Sequence, residues 1–206
     1  MARPKERTPE LRERVLQVAV AMLEAGGVVG FTARSVASHA ETSTPAVYEL
    51  FGDKGGLVRE VFFEGFRMLR RRLDELDPTH DARADLVRVI EVVRSFVRQN
   101  PVLAEVMFSR PFTDFDPGPD EVAAGRSVRE FIIGRVRRCV DDAVIVGNET
   151  DVAHVLLALT QGLAGQENAG WLGTSKASID RRWALAVRAT LDGLGPPRTS
   201  RRSEHG

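Results

Sequence analysis

The sequence predicts an all-α protein with a small N-terminal three-helix domain and a larger C-terminal helical bundle. Apolar residues recur at helical spacing along nearly the whole chain. No run of alternating apolar and polar residues with β-branched enrichment indicates a strand. We expect the domains to cover residues 1–55 and 56–195, followed by a disordered, Pro- and Arg-rich tail at 196–206.

Composition limits the possible classes of protein. The 206 residues are 43 % hydrophobic, and 29 basic residues balance 29 acidic ones, so no global charge indicates a nucleic-acid or membrane partner. Cys139 is the single cysteine, which excludes a disulfide framework and a multi-cysteine metal site. No uncharged stretch reaches the roughly 20 residues of a membrane span, so we expect a cytoplasmic protein without a membrane partner.

Capping signals place the first four helices. Thr8 precedes Pro-Glu at the start of helix 1, and Gly26-Gly27 ends that helix. Thr32 and Ser43 are the expected caps of helices 2 and 3, and Asp53 is that of helix 4. Further helices are predicted over about 82–99, after Pro101, and over about 120–144, 150–169 and 176–194, with a loop at 109–119.

The two short helices between Thr32 and Phe51 form a predicted helix-turn-helix. The second helix carries apolar residues on one face only, and its outer face is polar. The inner set is Val47, Leu50 and Phe51, and the outer set is Thr44, Pro45, Tyr48 and Glu49. Since the major groove admits one α-helix, this pattern predicts a helix that lies in the groove of DNA.

The segment GFTARSVASHAETSTPAVYELFGDKGGLV resembles the DNA-binding segment of the tetracycline-repressor (TetR) family of transcriptional regulators. The shared marks are Gly-Phe-Thr before helix 2, small residues that open helix 3, Tyr48 and Phe51 three apart, and Gly-Asp-Lys before helix 4. The resemblance covers residues 11–58 and implies a homodimeric, ligand-responsive repressor that binds a double-stranded DNA operator with a palindromic sequence.

The resemblance also implies roles for individual residues. Thr32 and Lys54 are expected to contact phosphate, and Tyr48 is expected to contact the DNA backbone. The positions expected at or near the groove are Ser43, Thr44, Pro45 and Ala46. Arg34 is expected to reach phosphate or a base, and Lys5 and Arg7 are candidates for a short basic arm. Residues 1–60 hold eight basic and eight acidic residues, so we expect modest nonspecific affinity and a shallow salt slope.

The sequence departs from the family pattern at Leu50, at Glu49 and at the Gly55-Gly56 pair. Leu50 stands where histidine is frequent. Glu49 brings a negative charge near the groove, where it either accepts a hydrogen bond from cytosine N4, pairs with Arg34 or Arg59, or is simply solvated. Gly55-Gly56 replaces a Glu-rich first turn of helix 4, and each glycine costs about 1 kcal/mol of helix propensity, which predicts a loose junction.

The C-terminal part is expected to bind an effector and to dimerise. NPVLAEVMFSRP, residues 100–111, resembles an element of the WHG-type subdivision of the family, although Leu157 and Gln161 stand where Trp and His are expected. The last two helices are expected to form the dimer interface or, alternatively, to pack inside one subunit. Trp183, Val187 and Leu191 on the last helix complete an apolar face, and the helix before it carries small residues that allow close approach. These residues are Ala158, Gly162, Ala164, Gly165 and Ala169.

An effector pocket is expected between helices 4 and 8, for a small molecule that the sequence does not identify. Its candidate lining residues are Phe62, Phe66, Phe96, Met107, Phe108, Phe112 and Gln161. Ordinary core packing is the alternative for each of them. Gln161 needs a polar partner, which is a ligand, a backbone carbonyl or the other subunit.

The sequence does not predict an enzyme, a metal site or a cofactor. The four histidines are scattered, and no Gly-rich phosphate loop or G-x-S-x-G motif occurs. The alternative function is a helical ligand- or protein-binding module that lacks sequence-specific DNA binding, which the neutral charge and Glu49 would favour.

Overall fold

The computed structural model describes residues 8–27, 30–108, 119, 123 and 125–197. Within these residues it contains nine α-helices and no strand, so the all-α prediction is confirmed. The helices are α1 (Pro9–Gly26), α2 (Ala33–His39), α3 (Thr44–Phe51), α4 (Lys54–Asp74), α5 (Ala82–Gln99), α6 (Pro101–Phe108), α7 (Arg126–Asp141), α8 (Glu149–Asn168) and α9 (Lys176–Gly193). The predicted loop at 109–119 and the tail lie almost wholly outside the described residues.

The predicted caps form the expected hydrogen bonds. The Thr8 hydroxyl accepts from the Leu11 amide at 3.3 Å, and Pro9 occupies the first turn of α1. The Asp53 carboxylate accepts from the Gly56 amide at 2.7 Å at the start of α4. Each cap satisfies a backbone N–H that has no partner inside its own helix.

The first of two compact units comprises the described residues of Met1–Asp74 and Ser95–Val128. Its apolar core includes Leu16 from α1, Leu57 from α4 and Leu103 from α6, each fully buried. Gly65 lets α4 and α6 approach closely, because a Cβ there would lie 2.5 Å from the Met107 sulfur. Side chains from three helices therefore form the core beneath α2 and α3.

The second unit comprises the described residues of Glu75–Arg94 and Arg129–Gly206. Its core is apolar except for Asp85 and Thr160, which are 3 % and 2 % exposed. Asp85 accepts hydrogen bonds at 2.8 Å from the Thr79 amide, the Thr79 hydroxyl and the Arg138 guanidinium. Burial opposes ionisation, but these bonds outweigh it and lower the pKa of Asp85 to about 2.

The two units divide the chain differently from the predicted boundary at residue 55, since the first unit also includes Ser95–Val128. A DNA-binding domain over 1–55 and an effector domain over 56–195 stay predictions. None of the helices in the described residues is long and apolar enough to cross a membrane.

Candidate DNA-binding interface

Helix α2 and the turn after it are fixed by local hydrogen bonds. The Thr32 hydroxyl accepts from the Ser35 amide, and the Ser35 hydroxyl accepts from the Thr32 amide, both at 3.0 Å. This capping box sets where α2 begins. In the turn, Glu41 adopts a positive φ of 52°, and the Thr42 amide donates to the Ala37 carbonyl at 2.9 Å. We call α2, α3 and this turn the reading head.

Helix α3 is capped at both ends and buried on one side. The Ser43 hydroxyl accepts from the Ala46 amide at 3.3 Å, and the Gly52 amide donates to the Tyr48 carbonyl at 2.7 Å. Val47 is 1 % exposed and Phe51 is 7 % exposed, whereas Tyr48 is 46 % exposed. The caps and the buried side fix the helix while its outer side remains accessible.

Ala46 differs from the prediction of a groove-facing position. It is 8 % exposed and lies on the buried side of α3, one residue before Val47. A one-residue step along an α-helix rotates about 100°, so adjacent residues both fit a wide buried face. Leu50, predicted to be buried, is only partly so.

The reading head is braced by two arginines of α1 that the sequence pattern does not single out. Arg12 forms an ion pair with Glu60 at 2.8 Å, and its guanidinium lies 5.1 Å from the centre of the Phe51 ring. Arg14 donates to the Ala40 carbonyl at the end of α2, at 3.2 Å. The sequence does not predict these contacts because the partners are distant in the chain. A charged stretch at the start of a helix ordinarily indicates a solvated face.

The junction between α3 and α4 is closely packed at Gly56. A Cβ on Gly56 would lie 1.8 Å from the Phe51 carbonyl oxygen, whereas one on Gly55 would meet the end of the Asp53 side chain at 3.1 Å. The expectation of a loose junction is therefore wrong for Gly56. This glycine is needed because the backbone of α3 passes too near for any side chain.

The remaining predicted contact residues are accessible. The exposed set is Thr32, Arg34, Ser43, Pro45, Tyr48 and Lys54, and Thr44 is partly buried. The Thr32 hydroxyl is engaged in its capping box. Glu49 is exposed as well, which leaves its alternatives open. The proposed arm residues Lys5 and Arg7 lie outside the described residues.

The predicted effector-pocket residues are divided between the two units. In the first unit, the Phe66 ring lies 4.9 Å from the Phe62 ring and 6.0 Å from the Phe108 ring, with Met107 buried nearby on α6. Phe96 is fully buried in the same unit. Gln161 belongs to the second unit and is partly buried, and Phe112 lies outside the described residues. In the described parts of the chain, no group of His, Cys, Asp or Glu side chains is placed to hold a metal ion.

The fold and the exposed helix define a helix-turn-helix DNA-binding protein. Residues 15–61 match the family model described as bacterial regulatory proteins, tetR family. Residues 86–190, half of the chain, match the model described as tetracyclin repressor-like, C-terminal domain. The chain belongs to the TetR family of DNA-binding transcriptional regulators. The WHG-type subdivision of its C-terminal part stays a prediction.

Solved structures share this fold. A protein of unknown function from Rhodococcus sp. RHA1 is 24 % identical with a TM-score of 0.78, and the match covers 95 % of this chain and 100 % of that one. A tetR-family regulatory protein from Rhodococcus RHA1 is 16 % identical with a TM-score of 0.68 over 92 % and 100 %. BioQ, solved with its double-stranded DNA operator, is 17 % identical with a TM-score of 0.63 over 89 % and 96 %. No curated protein matches the chain.

Proposed function

We propose that this regulator is a ligand-responsive homodimeric repressor that binds a palindromic operator. The observation that carries the proposal is the one-sided burial of α3. Val47 and Phe51 are buried, while Tyr48 is 46 % exposed and Ser43 and Pro45 are exposed. A short, rigid helix with an accessible polar side suits the major groove, which is about 12 Å wide.

In this model α3 lies in the groove and the residues around it hold the phosphates. Tyr48 and Lys54 contact the DNA backbone, and Thr32 and Arg34 reach phosphates from α2. Phosphate contacts fix the position of the helix, whereas contacts to base edges give sequence preference. Ser43, Thr44 and Pro45, at the start of α3, are the side chains proposed nearest to the bases. Ala46 is left out of this set because it is buried.

The homodimer is proposed to form through α8 and α9. Their surface carries large apolar side chains in contact with solvent: Val155 is 50 % exposed and Leu185 is 56 % exposed. Ala158 and Gly162 on α8 are exposed too and leave room for a second backbone. A two-fold dimer presents two reading heads to half-sites about 34–36 Å apart, which makes the operator a palindrome.

Repression is proposed to be released by a small molecule. The ligand must bind one conformation of the dimer better than the other, and a coupling free energy of about 1–3 kcal/mol is usual. The Phe62, Phe66 and Phe108 cluster is one proposed place for it, with Met107 beside the cluster. Gln161 belongs to the other unit and is not part of this proposed place.

Selection of random duplex DNA by the purified protein tests the proposal. We expect an enriched palindrome at about 0.15 M salt, where nonspecific phosphate binding is weakened. The double variant Tyr48→Ala/Lys54→Ala should bind the selected operator about 30-fold or more weakly on any sequence, since each lost contact is worth about 1 kcal/mol or more. Arg98→Ala, which removes an exposed arginine of α5, is the matched control.

Two outcomes would contradict the model. Full operator affinity in the double variant would exclude this docking of α3. No enriched sequence from folded, dimeric protein would favour the alternative, a helical ligand- or protein-binding module. In a reporter strain, expression that rises when the gene for this protein is deleted would support repression.

A further inference from the structure

The second unit contains an open groove between α5 and α9, with a volume of about 640 Å³. Val87 and Ile90 of α5 and Val187 and Leu191 of α9 line its apolar middle. Small-molecule sites have volumes of about 300–1,000 Å³ and are mainly apolar with a few polar groups. The groove has the size and surface of such a site.

A second depression in the same unit is much smaller than the groove. It is lined by Leu86, Val93, Ile132 and Thr160, and its volume of about 10 Å³ is too small for a ligand. A third depression, with a volume of about 530 Å³, is lined by three arginines and by only two apolar residues, Ala184 and Leu185, so the groove between α5 and α9 better matches a mainly apolar ligand site.

Ion pairs fix the two ends of the groove. At one end Arg83 pairs with Asp192, and at the other Arg94 pairs with Asp180 at 2.8 Å. The two helices therefore run antiparallel along the groove. The stretch of α9 from Asp180 to Asp192 spans about 18 Å at 1.5 Å per residue. An elongated ligand fits this shape better than a compact one.

The charged residues at the two ends of the groove determine how a ligand is oriented in it. The lining includes four cations, Arg83, Arg94, Lys176 and Arg188, and two carboxylates, Glu91 and Asp180, while Asp192 and Glu167 beside the groove pair with Arg83 and Arg94. Arg188 lies one helical turn before Asp192, on the same face of α9, and it pairs with no carboxylate among the residues that the structure describes. An anionic group is the partner that this end lacks.

We propose that the groove binds an elongated amphipathic anion. Its anionic head pairs with Arg188 beside Arg83, and its apolar body lies over Val87, Ile90 and Val187 towards Trp183. The Trp183 ring lies at the far end, where its N–H donates to Glu167 at 2.7 Å and the Arg94 guanidinium lies 4.7 Å from the ring. The site deepens the proposed function, on which its regulatory role rests, because such an effector would contact α9, a helix of the proposed dimer interface.

Trp183 gives a spectroscopic readout, since it lines the groove and is 4 % exposed. The other tryptophan, Trp171, is 78 % exposed and is replaced by Phe in every protein tested, after sedimentation has shown that Trp171→Phe keeps the oligomeric state of the native protein. Sodium decanoate is titrated below its micelle concentration in the absence of DNA, with decyl phosphate and decanol of equal chain length as comparisons. We expect saturable change in Trp183 fluorescence with either anion, and about tenfold weaker binding of decanol, which cannot form the charged hydrogen bond.

Variants locate the two ends of the ligand. Arg188→Gln should weaken decanoate binding by about tenfold, Arg188→Lys should keep most of the affinity, and Arg98→Gln should leave it unchanged. Val87→Phe should also weaken binding, because its larger ring fills the apolar middle. The phosphate and carboxylate arms show which head group the arginines prefer.

Three results would overturn the site: no saturable signal, equal affinity for decanol and decanoate, or full affinity in Arg188→Gln. If Arg188→Gln changes the oligomeric state and no ligand binds, the groove is instead covered by a second copy. Operator release is measured separately. Decanoate binding without operator release would overturn only the regulatory role, and absence of any operator would leave the binding result standing.

Discussion

The reading head and the second unit are held together by different kinds of contact. In the reading head and its exit into α4, the capping hydrogen bonds join residues three apart, as in Thr32 with Ser35 and Asp53 with Gly56. In the second unit, Arg94 of α5 binds Glu167 of α8 at 2.8 Å and also Asp180 of α9. Local contacts shape the surface proposed to read DNA, and long-range charge pairs join the helices of the second unit.

This difference explains how a chain of zero net charge can bind DNA. Arginines such as Arg94 and Arg138 are directed at carboxylates within their own unit. Arg34 and Lys54 are exposed at the reading head. The net charge of the whole chain therefore says little about the field at α3, which depends on the placement of a few charges.

The largest effect is expected where local packing is tightest. Gly56→Ala should lower the free energy of unfolding by about 3 kcal/mol, because the new Cβ would clash with the Phe51 carbonyl, which cannot move without moving α3. Urea unfolding followed by circular dichroism measures the change. Gly55→Ala is the matched control and should be neutral or slightly stabilising, since its Cβ meets only a side-chain end. Equal effects of the two substitutions would show that the junction is not packed as described.

A somewhat smaller effect is expected for the charge pairs of the second unit. Asp85→Asn should lower the free energy of unfolding by about 2–3 kcal/mol at neutral pH, because Arg138 and the Thr79 groups lose a buried carboxylate partner. Asp141→Asn, at an exposed position at the end of α7, should have almost no effect.

The same carboxylate gives a pH dependence of defined sign. The folded pKa of Asp85 is about 2, below its unfolded value of about 4, so its contribution is fully present above pH 4 and is lost as the pH falls towards 2. Unfolding measured at several pH values should show this acid loss in the native protein and a weaker one in Asp85→Asn. Identical acid profiles would assign the loss to other groups.

The sequence predicts local features better than distant ones, and these examples show why. The caps Thr8, Thr32, Ser43 and Asp53 are readable because each acts on an amide within three residues. The burial of Ala46 was not predicted, because a small residue is compatible with either face of a helix. The pairing of Asp85 with Arg138 is not visible in the sequence, since neither helix pattern specifies which distant charge will lie opposite.

The same reasoning applies to the effector candidates. Aromatic residues at helical spacing predicted apolar contacts, and Phe62, Phe66 and Phe108 do lie together in the first unit. Helical spacing carries no information about which helices share a unit, so Gln161 was grouped with residues of the other one. Arg12 is a similar case, because its contacts with Glu60 and Phe51 depend on the packing of α1 against α3 and α4.

The smallest expected effect concerns the surface of the second unit. Charge pairs join the helices of this unit, whereas its surface carries exposed apolar side chains. Trp171 is 78 % exposed, yet the turn that presents it is fixed by a hydrogen bond from its amide to the Gln166 carbonyl at 2.9 Å. A large aromatic residue on a rigid turn between α8 and α9 is a typical anchor of an interface.

Trp171→Ala should raise the dimer dissociation constant about tenfold, or about 1.4 kcal/mol, measured by sedimentation. Val146→Ala, which removes another exposed apolar side chain before α8, should leave it unchanged. If both variants dimerise as the native protein does, the second copy does not bind at Trp171. The apolar surface of α8 and α9 would then need a different partner, and the proposed spacing of the two reading heads would have to be set by another interface.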